Sequence, residues 1–164
     1  PADSLLPDSG GLGSPLSCLT EARFGIVWGV MGAARACFEA ALGYAKERVQ
    51  WGRPIAGFQL TQRKLADMAV QIDAARLLTH RACWMKDNGI KHTAESSMAK
   101  LFSSETAMEI ALNAVRIHGG YGYSDEYPVE RYLRDARVAT IYEGTSEIQK
   151  LIIGSYITGM KAFT

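Results

Sequence analysis

A chain of 164 residues that is 48% apolar and 21% charged is long enough for one globular domain and too apolar to be disordered. Eighteen basic against seventeen acidic residues leave a formal charge of +1, which offers no field for a nucleic acid or an acidic surface. Cys18, Cys37 and Cys83 form no Cys-x-x-Cys pair, and His80, His92 and His118 lack ligand spacing, so no metal site is expected.

In chain order, residues 1–17 are expected to be a loop or linker, because Gly and Pro crowd the run from Ser9 to Pro15. From about Leu19 to Arg48, Val27, Val30, Met31, Ala34, Phe38, Ala41 and Ala45 recur at three- and four-residue steps and predict a long amphipathic helix. Gly25, Gly29 and Gly32 interrupt it and suggest close approach of another backbone. Trp51-Gly52-Arg53-Pro54 stops it. A second helix is expected over 58–88, with Leu65, Met68, Ile72, Ala75, Leu78 and Ala82 inward and Asn88-Gly89 closing it. A third is expected over 93–118, with Met98, Leu101, Phe102, Met108, Ala111 and Val115 inward and Gly119-Gly120 ending it. A short fourth spans about 129–138 after Pro128, and a fifth starts at Gly144 or Thr145. Strand signals are nearly absent. The expected fold is therefore all-α, an antiparallel up-down bundle over residues 18–164.

Cys37 and Cys83 are expected in the core as reduced thiols. No unbroken apolar run approaches the roughly 20 residues of a membrane helix, and no signal sequence is visible. Since the chain opens on Pro1 in a loop, it is expected to be a piece of something longer. Arg131, Arg134 and Arg137 make a basic stripe, but Glu130 and Asp135 lie among them, which fits a solvated helix face.

The most informative segment is Ile141-Tyr142-Glu143-Gly144-Thr145-Ser146-Glu147-Ile148-Gln149. It sets a carboxylate, Glu143, beside a glycine and a hydroxyl at the mouth of a helix. Locally this reads in two ways. Glu143 and Thr145 cap the helix, with Glu147 favoured by its dipole; or Glu143 removes a proton from carbon while nearby N–H groups stabilise the oxyanion.

Three segments resemble one family closely, the acyl-CoA dehydrogenases: Arg48-Val49-Gln50-Trp51-Gly52-Arg53-Pro54 with Gln59 and Lys64 to Met68; His118-Gly119-Gly120-Tyr121-Gly122-Tyr123 running on to Arg131; and the segment around Glu143. The resemblance covers the chain from about Leu12 onward and is to the C-terminal helical bundle of that family. It implies that residues 1–17 lead from a β domain that is missing here, along with an N-terminal helical domain. Within the family, Cys18-Leu19, Ala22 to Ile26, Trp28-Gly29 and the tail Ile157 to Phe163 are similar to glutaryl-CoA dehydrogenase. Ser146 and Gln149 stand where those enzymes tend to carry histidines.

The resemblance implies a flavoenzyme that oxidises the α,β carbon–carbon bond of an acyl-CoA, with Glu143 as the base that takes the α-proton. Family members that place the base on the first helix put it immediately before an arginine; here that position is Ala22, before Arg23, while Glu21 lies one residue early. The resemblance further implies that Arg48, Gln50, Trp51, Gln59, Gly119, Gly120, Thr145 and Glu147 contact FAD, the first three in a neighbouring subunit. Arg23, Tyr142 and Gly144 are the implied substrate contacts. Position 116 often holds glutamine in relatives and is Arg116 here. Also implied are electron-transfer flavoprotein as acceptor, a homotetramer, and a cytoplasmic location in a bacterium or the mitochondrial matrix in a eukaryote. Residues 1–164 by themselves are expected to hold no FAD and to be inactive. The rival reading is a non-catalytic oligomerisation or binding bundle, which would show decay at Glu143 or Arg48.

Overall fold

The computed structural model describes Ser4 and residues 7–162. Its elements are α1 (Gly13–Glu47), a two-rung hairpin of β1 (Val49–Gln50) and β2 (Arg53–Pro54), α2 (Gln59–Asp87), α3 (Thr93–His118), α4 (Val129–Ala139) and α5 (Ser146–Thr158). The all-α bundle is as expected, with helix boundaries within one or two residues except at the start of α1, and the structure departs from the sequence reading at three points.

The first exception is the N-terminal segment. Residues 13–17 are not loop but the first turns of α1. Pro15 falls in that first turn, where no intrahelical partner exists for its missing N–H, so proline does not break the helix there. The expected linker therefore ends earlier, and its other residues are in part outside those described. Phe163 of the glutaryl-like tail also lies outside the described residues.

The second concerns β1 and β2, which the sequence reading treated only as a helix stop. Trp51 and Gly52 have φ of 47° and 77°. Two consecutive left-handed residues make the tight turn whose twist suits a two-residue hairpin, pairing Val49 with Pro54 and Gln50 with Arg53. The hairpin fixes Arg48, Gln50 and Trp51 beside the end of α1.

The third concerns α3, the central helix, which packs on α1, α2, α4 and α5. Its buried face is wider than the expected stripe: Ala111 is buried and Met108 and Val115 pack on the core as expected, but other positions join them. Phe102 is exposed, whereas Ser96, Ser97, Ala99, Lys100, Ser103, Ser104, Ala107, Ile110, Ala111 and Ala114 are buried. A helix surrounded on most sides has little room, and small side chains let its neighbours approach. Ala34, Cys37, Ala41 and Ala45 of α1 meet Ala107, Ile110, Ala111 and Ala114 of α3 in the main core, joined by Met68 and Val129. Burying a side chain such as Met68 or Ile110 contributes about 1.5–3 kcal/mol.

The glycines of α1 do not bring a backbone close. A Cβ on Gly25, Gly29 or Gly32 would meet nothing within 4 Å. Cys37 is buried as expected, but Cys83 is only partly so. By length and composition α1 also passes for a membrane-crossing helix, since an 18-residue window averages 1.3 in hydropathy. Alanines and glycines carry much of that average, so the helix holds no long run of large apolar residues. In the bundle its seam of Val27, Val30, Ala34, Cys37, Ala41 and Ala45 is buried, and an Arg35–Glu39 pair lies on its exposed side.

Candidate active site

The turn between α4 and α5 carries Glu143. It is closed by Ile141 N–H and Tyr142 N–H donating to the Val138 carbonyl (2.9 and 3.1 Å) and by Ser146 N–H donating to Thr140 (3.1 Å). Thr145 is the N-cap of α5, its hydroxyl accepting from Ile148 N–H at 3.4 Å. The capping reading is thus correct for Thr145. It does not describe Glu143, which sits before the cap with φ of 57°, followed by Gly144 at 90°. A left-handed backbone costs an ordinary residue about 1–2 kcal/mol, so the surroundings must hold it.

Two buried side chains do so. Lys100 Nζ of α3 donates to the Gly144 carbonyl at 2.8 Å. Gln149 Nε2 of α5 donates to the Glu143 carbonyl at 3.1 Å and the Gly144 carbonyl at 2.9 Å. Gly144 is required on two counts. Its φ suits glycine, and a Cβ there would lie 2.7 Å from Gln149 Nε2 and 3.3 Å from Ile148 Cγ2. Arg23 comes from α1, its Nη2 3.7 Å from that same Cβ position. Ser146 hydroxyl donates to the Glu105 carboxylate of α3.

The charges here are concentrated. Burial pulls the Arg23 guanidinium below its ordinary range, opposed by the Glu143 carboxylate. Burial likewise pulls down the Lys100 ammonium, with Arg23 adding to the effect and Glu105, Glu143 and Glu147 opposing it. The Tyr142 phenol is raised by burial first and then by Glu143 and Asp135. Glu147 is held low by its own backbone N–H and by Thr145. Glu143 Oε2 is buried and accepts no hydrogen bond from the described residues; Arg23 Nε is likewise unpaired. Buried polar atoms are nearly always satisfied, so an open acceptor and an open donor around one turn make it a candidate ligand site.

A second concavity lies at the other end of the bundle. A groove of about 830 Å³ is lined by Tyr44, Arg48, Gln50, Trp51, Arg116, His118, Gly119, Gly120 and Tyr121. Its floor is aromatic: His118 stacks on Tyr44 at 4.4 Å and touches Tyr127 at 4.9 Å, while Arg48 lies 5.9 Å over Tyr121. His118 Nδ1 pairs with the Ala114 carbonyl at 2.8 Å. Gly122 ties the segment down, because a Cβ there would be 2.5 Å from the Val115 carbonyl. Cβ positions on Gly119 and Gly120 face open space. Gln59 lines an adjoining groove that shares Trp51, Ile55, Arg116 and Ile117 with the first.

The expected site residues therefore fall into two groups. Arg23, Tyr142, Glu143, Gly144, Thr145 and Glu147 gather around the α4–α5 turn. Arg48, Gln50, Trp51, Gly119 and Gly120 gather in the distant groove, with Gln59 at its flank. Sequence reasoning gave no role to Lys100, Glu105 or Gln149, and left Arg116 open. Lys100 had a readable signal: with Ser96, Ser103, Ser104 and Ala107 it follows the three- and four-residue steps of one helix face. Among the described residues no three His, Cys, Asp or Glu side chains converge as a metal site would require.

Residues 9–158 match the family described as acyl-CoA dehydrogenase, C-terminal domain. An acyl-CoA dehydrogenase of Bacillus subtilis (strain 168) is 49% identical over 160 residues, which cover 97% of this chain and 42% of that protein. A crystal structure of glutaryl-CoA dehydrogenase from Mycobacterium smegmatis superposes with a TM-score of 0.95 at 47% identity, covering all of this chain and 42% of the other. A second structure, a glutaryl-CoA dehydrogenase from Mycobacterium smegmatis in complex with FADH2, gives 0.94 at 40% identity over the same shares. The chain thus spans about two fifths of the length of the proteins it resembles.

Proposed function

This chain belongs to the acyl-CoA dehydrogenase family as a C-terminal domain, and from that premise we propose that it furnishes the base and one wall of the flavin site for α,β-dehydrogenation of an acyl-CoA thioester. The observation that carries the proposal is Glu143: a carboxylate held in a left-handed turn, with a buried oxygen that takes no hydrogen bond from the described residues.

A thioester α-proton is weakly acidic, so its removal needs a positioned acceptor and stabilisation of the charge that develops on the carbonyl oxygen. Glu143 is the acceptor. Its own backbone N–H is the donor that the family reading assigns to that oxygen. Arg23, buried and close by, supplies fixed positive charge facing the Glu143 carboxylate. Tyr142 and Gly144 border the acyl chain. FAD, when bound, supplies the acceptor for the hydride that leaves the β-carbon.

The distant groove fits part of such a cofactor. Arg48 offers a planar fork suited to a pyrophosphate, Tyr121 an aromatic face, and Gly119-Gly120 a flank without side chains. Gln50, Trp51 and Gln59 lie along the same rim, while Thr145 and Glu147 approach the flavin from the base's side. Because the groove is remote from Glu143, the two groups serve different FAD molecules, which calls for a homo-oligomer, a tetramer in this reading. The likeness to glutaryl-CoA dehydrogenase favours a glutaryl-like acyl group, with electron-transfer flavoprotein as the acceptor. Location follows the host: cytoplasm or mitochondrial matrix.

The test is anaerobic addition of saturated acyl-CoA thioesters, glutaryl-CoA and butyryl-CoA among them, to the flavin-loaded full-length protein. Bleaching of the oxidised flavin by at least one thioester is expected. No bleaching by any chain length, with flavin bound, would leave the non-catalytic bundle as the better reading.

A further inference from the structure

The buried lysine of α3 is the least explained group in the bundle. Lys100 is 1% exposed, among the buried Ser96, Ser97, Ala99, Ser103, Ser104 and Ala107 of α3. A methionine would fill that space without desolvating a charge, so packing alone does not account for an ammonium. Its one hydrogen-bond acceptor among the described residues is the Gly144 carbonyl, 44 positions along the chain and one residue after Glu143. The same carbonyl takes a second bond from Gln149, itself fully buried and also bound to the Glu143 carbonyl. The charges facing Lys100 are Arg23 from α1, Glu105 from α3, Glu147 from α5 and Glu143 from the turn.

We infer that Lys100, with Gln149 as its neutral counterpart, is a positioning residue for proton abstraction: the two side chains grip the Glu143 and Gly144 carbonyls and so keep a strained turn aimed at the substrate. The inference rests on Glu143 being the base. Lys100 reaches the backbone rather than the carboxylate, which explains why Glu143 keeps an open oxygen. An ammonium that paired with that oxygen would stabilise the turn and block the base. Glu105 completes the clasp by holding Ser146 at the start of α5.

The experiment uses the flavin-loaded full-length protein and 3-thiabutyryl-CoA, which has acidic α-protons but a sulphur in place of the β-carbon and hence no hydride to give. Exchange of its α-protons in D2O reads abstraction alone, and a spectral titration reads binding. In Lys100→Met, exchange should fall about 10²-fold, the loss expected from an ångström of misplacement, with the dissociation constant within twofold. Lys100→Arg, which keeps a charged donor, should recover most of it. Exchange within threefold of wild type in Lys100→Met would overturn the inference, as would exchange and binding weakening in equal measure. If Lys100→Met does not fold, Gln149→Met decides by the same two criteria. A Glu143→Gln protein run alongside should not exchange at all; if it exchanges normally, the base assignment fails, whatever the lysine variants do.

Discussion

Arg23 lies in the first third of α1 and Arg48 caps the C-terminus of the same helix, twenty-five positions apart. At 1.5 Å per residue that is about 37 Å, more than an extended FAD molecule spans. Arg23 lies against Gly144 and Arg48 against Tyr121, so the helix separates the Glu143 turn from the groove as a rigid spacer.

A complementation experiment follows from that spacing. Full-length Glu143→Gln and Arg48→Ala proteins should each be nearly inactive. Mixed by co-expression, half of the shared pairs of sites contain both subunit types, and in each such pair one site has both residues intact. Activity should return to about a quarter of wild type. If groove and base belonged to one subunit's FAD, every mixed site would keep a defect and no activity would return.

The glycines separate into two kinds. Gly144→Ala meets a left-handed φ and a 2.7 Å contact, and should cost about 1–3 kcal/mol in urea unfolding as well as activity. Gly29→Ala in α1 meets open space and should add about 0.5–1 kcal/mol through helix propensity. A loss on Gly29→Ala would mean that another chain packs on that face, which sedimentation of the variant would then show as weakened assembly.

The thiols should titrate unequally. Burial pushes the Cys37 thiol up to about 12 from an ordinary value of 9.0, while Cys18 is exposed. Cys18 should react with iodoacetamide at neutral pH and Cys37 should not. Because the folded value is raised, the contribution of Cys37 to stability is complete below about pH 9 and is lost as pH rises toward 12. Cys37→Ala should remove that part of the alkaline loss. Rapid neutral-pH labelling of Cys37 would contradict its place in the core.

Most helices were readable because their ends carry chemistry: Gly119-Gly120 closes α3 and Asn88-Gly89 closes α2. The start of α1 was not, since Gly13 and Pro15 look like loop until one sees that a first helical turn tolerates both. On α3 the larger apolar side chains marked only part of the buried face, and its serines, alanines and Lys100 are also inside because neighbouring helices pack on most of its sides. The candidate base, Glu143, was proposed from its segment and that segment's likeness to a family. What holds it was not, because Lys100 and Gln149 act on backbone carbonyls, a partnership that sequence spacing does not encode.

The most direct test of Glu143 as base is rapid mixing of the flavin-loaded full-length protein with a saturated acyl-CoA that reduces it. Glu143→Gln keeps size and hydrogen bonding, so FAD and thioester should still bind. Flavin reduction should slow by more than the roughly 10⁴-fold upper range of general-base assistance, since a closed site gives water no route to substitute. Glu21→Gln is the control: Glu21 is exposed and paired with Lys86, and its loss should leave the rate within a few-fold. A slow Glu21→Gln enzyme beside a fast Glu143→Gln enzyme would contradict the account at its centre.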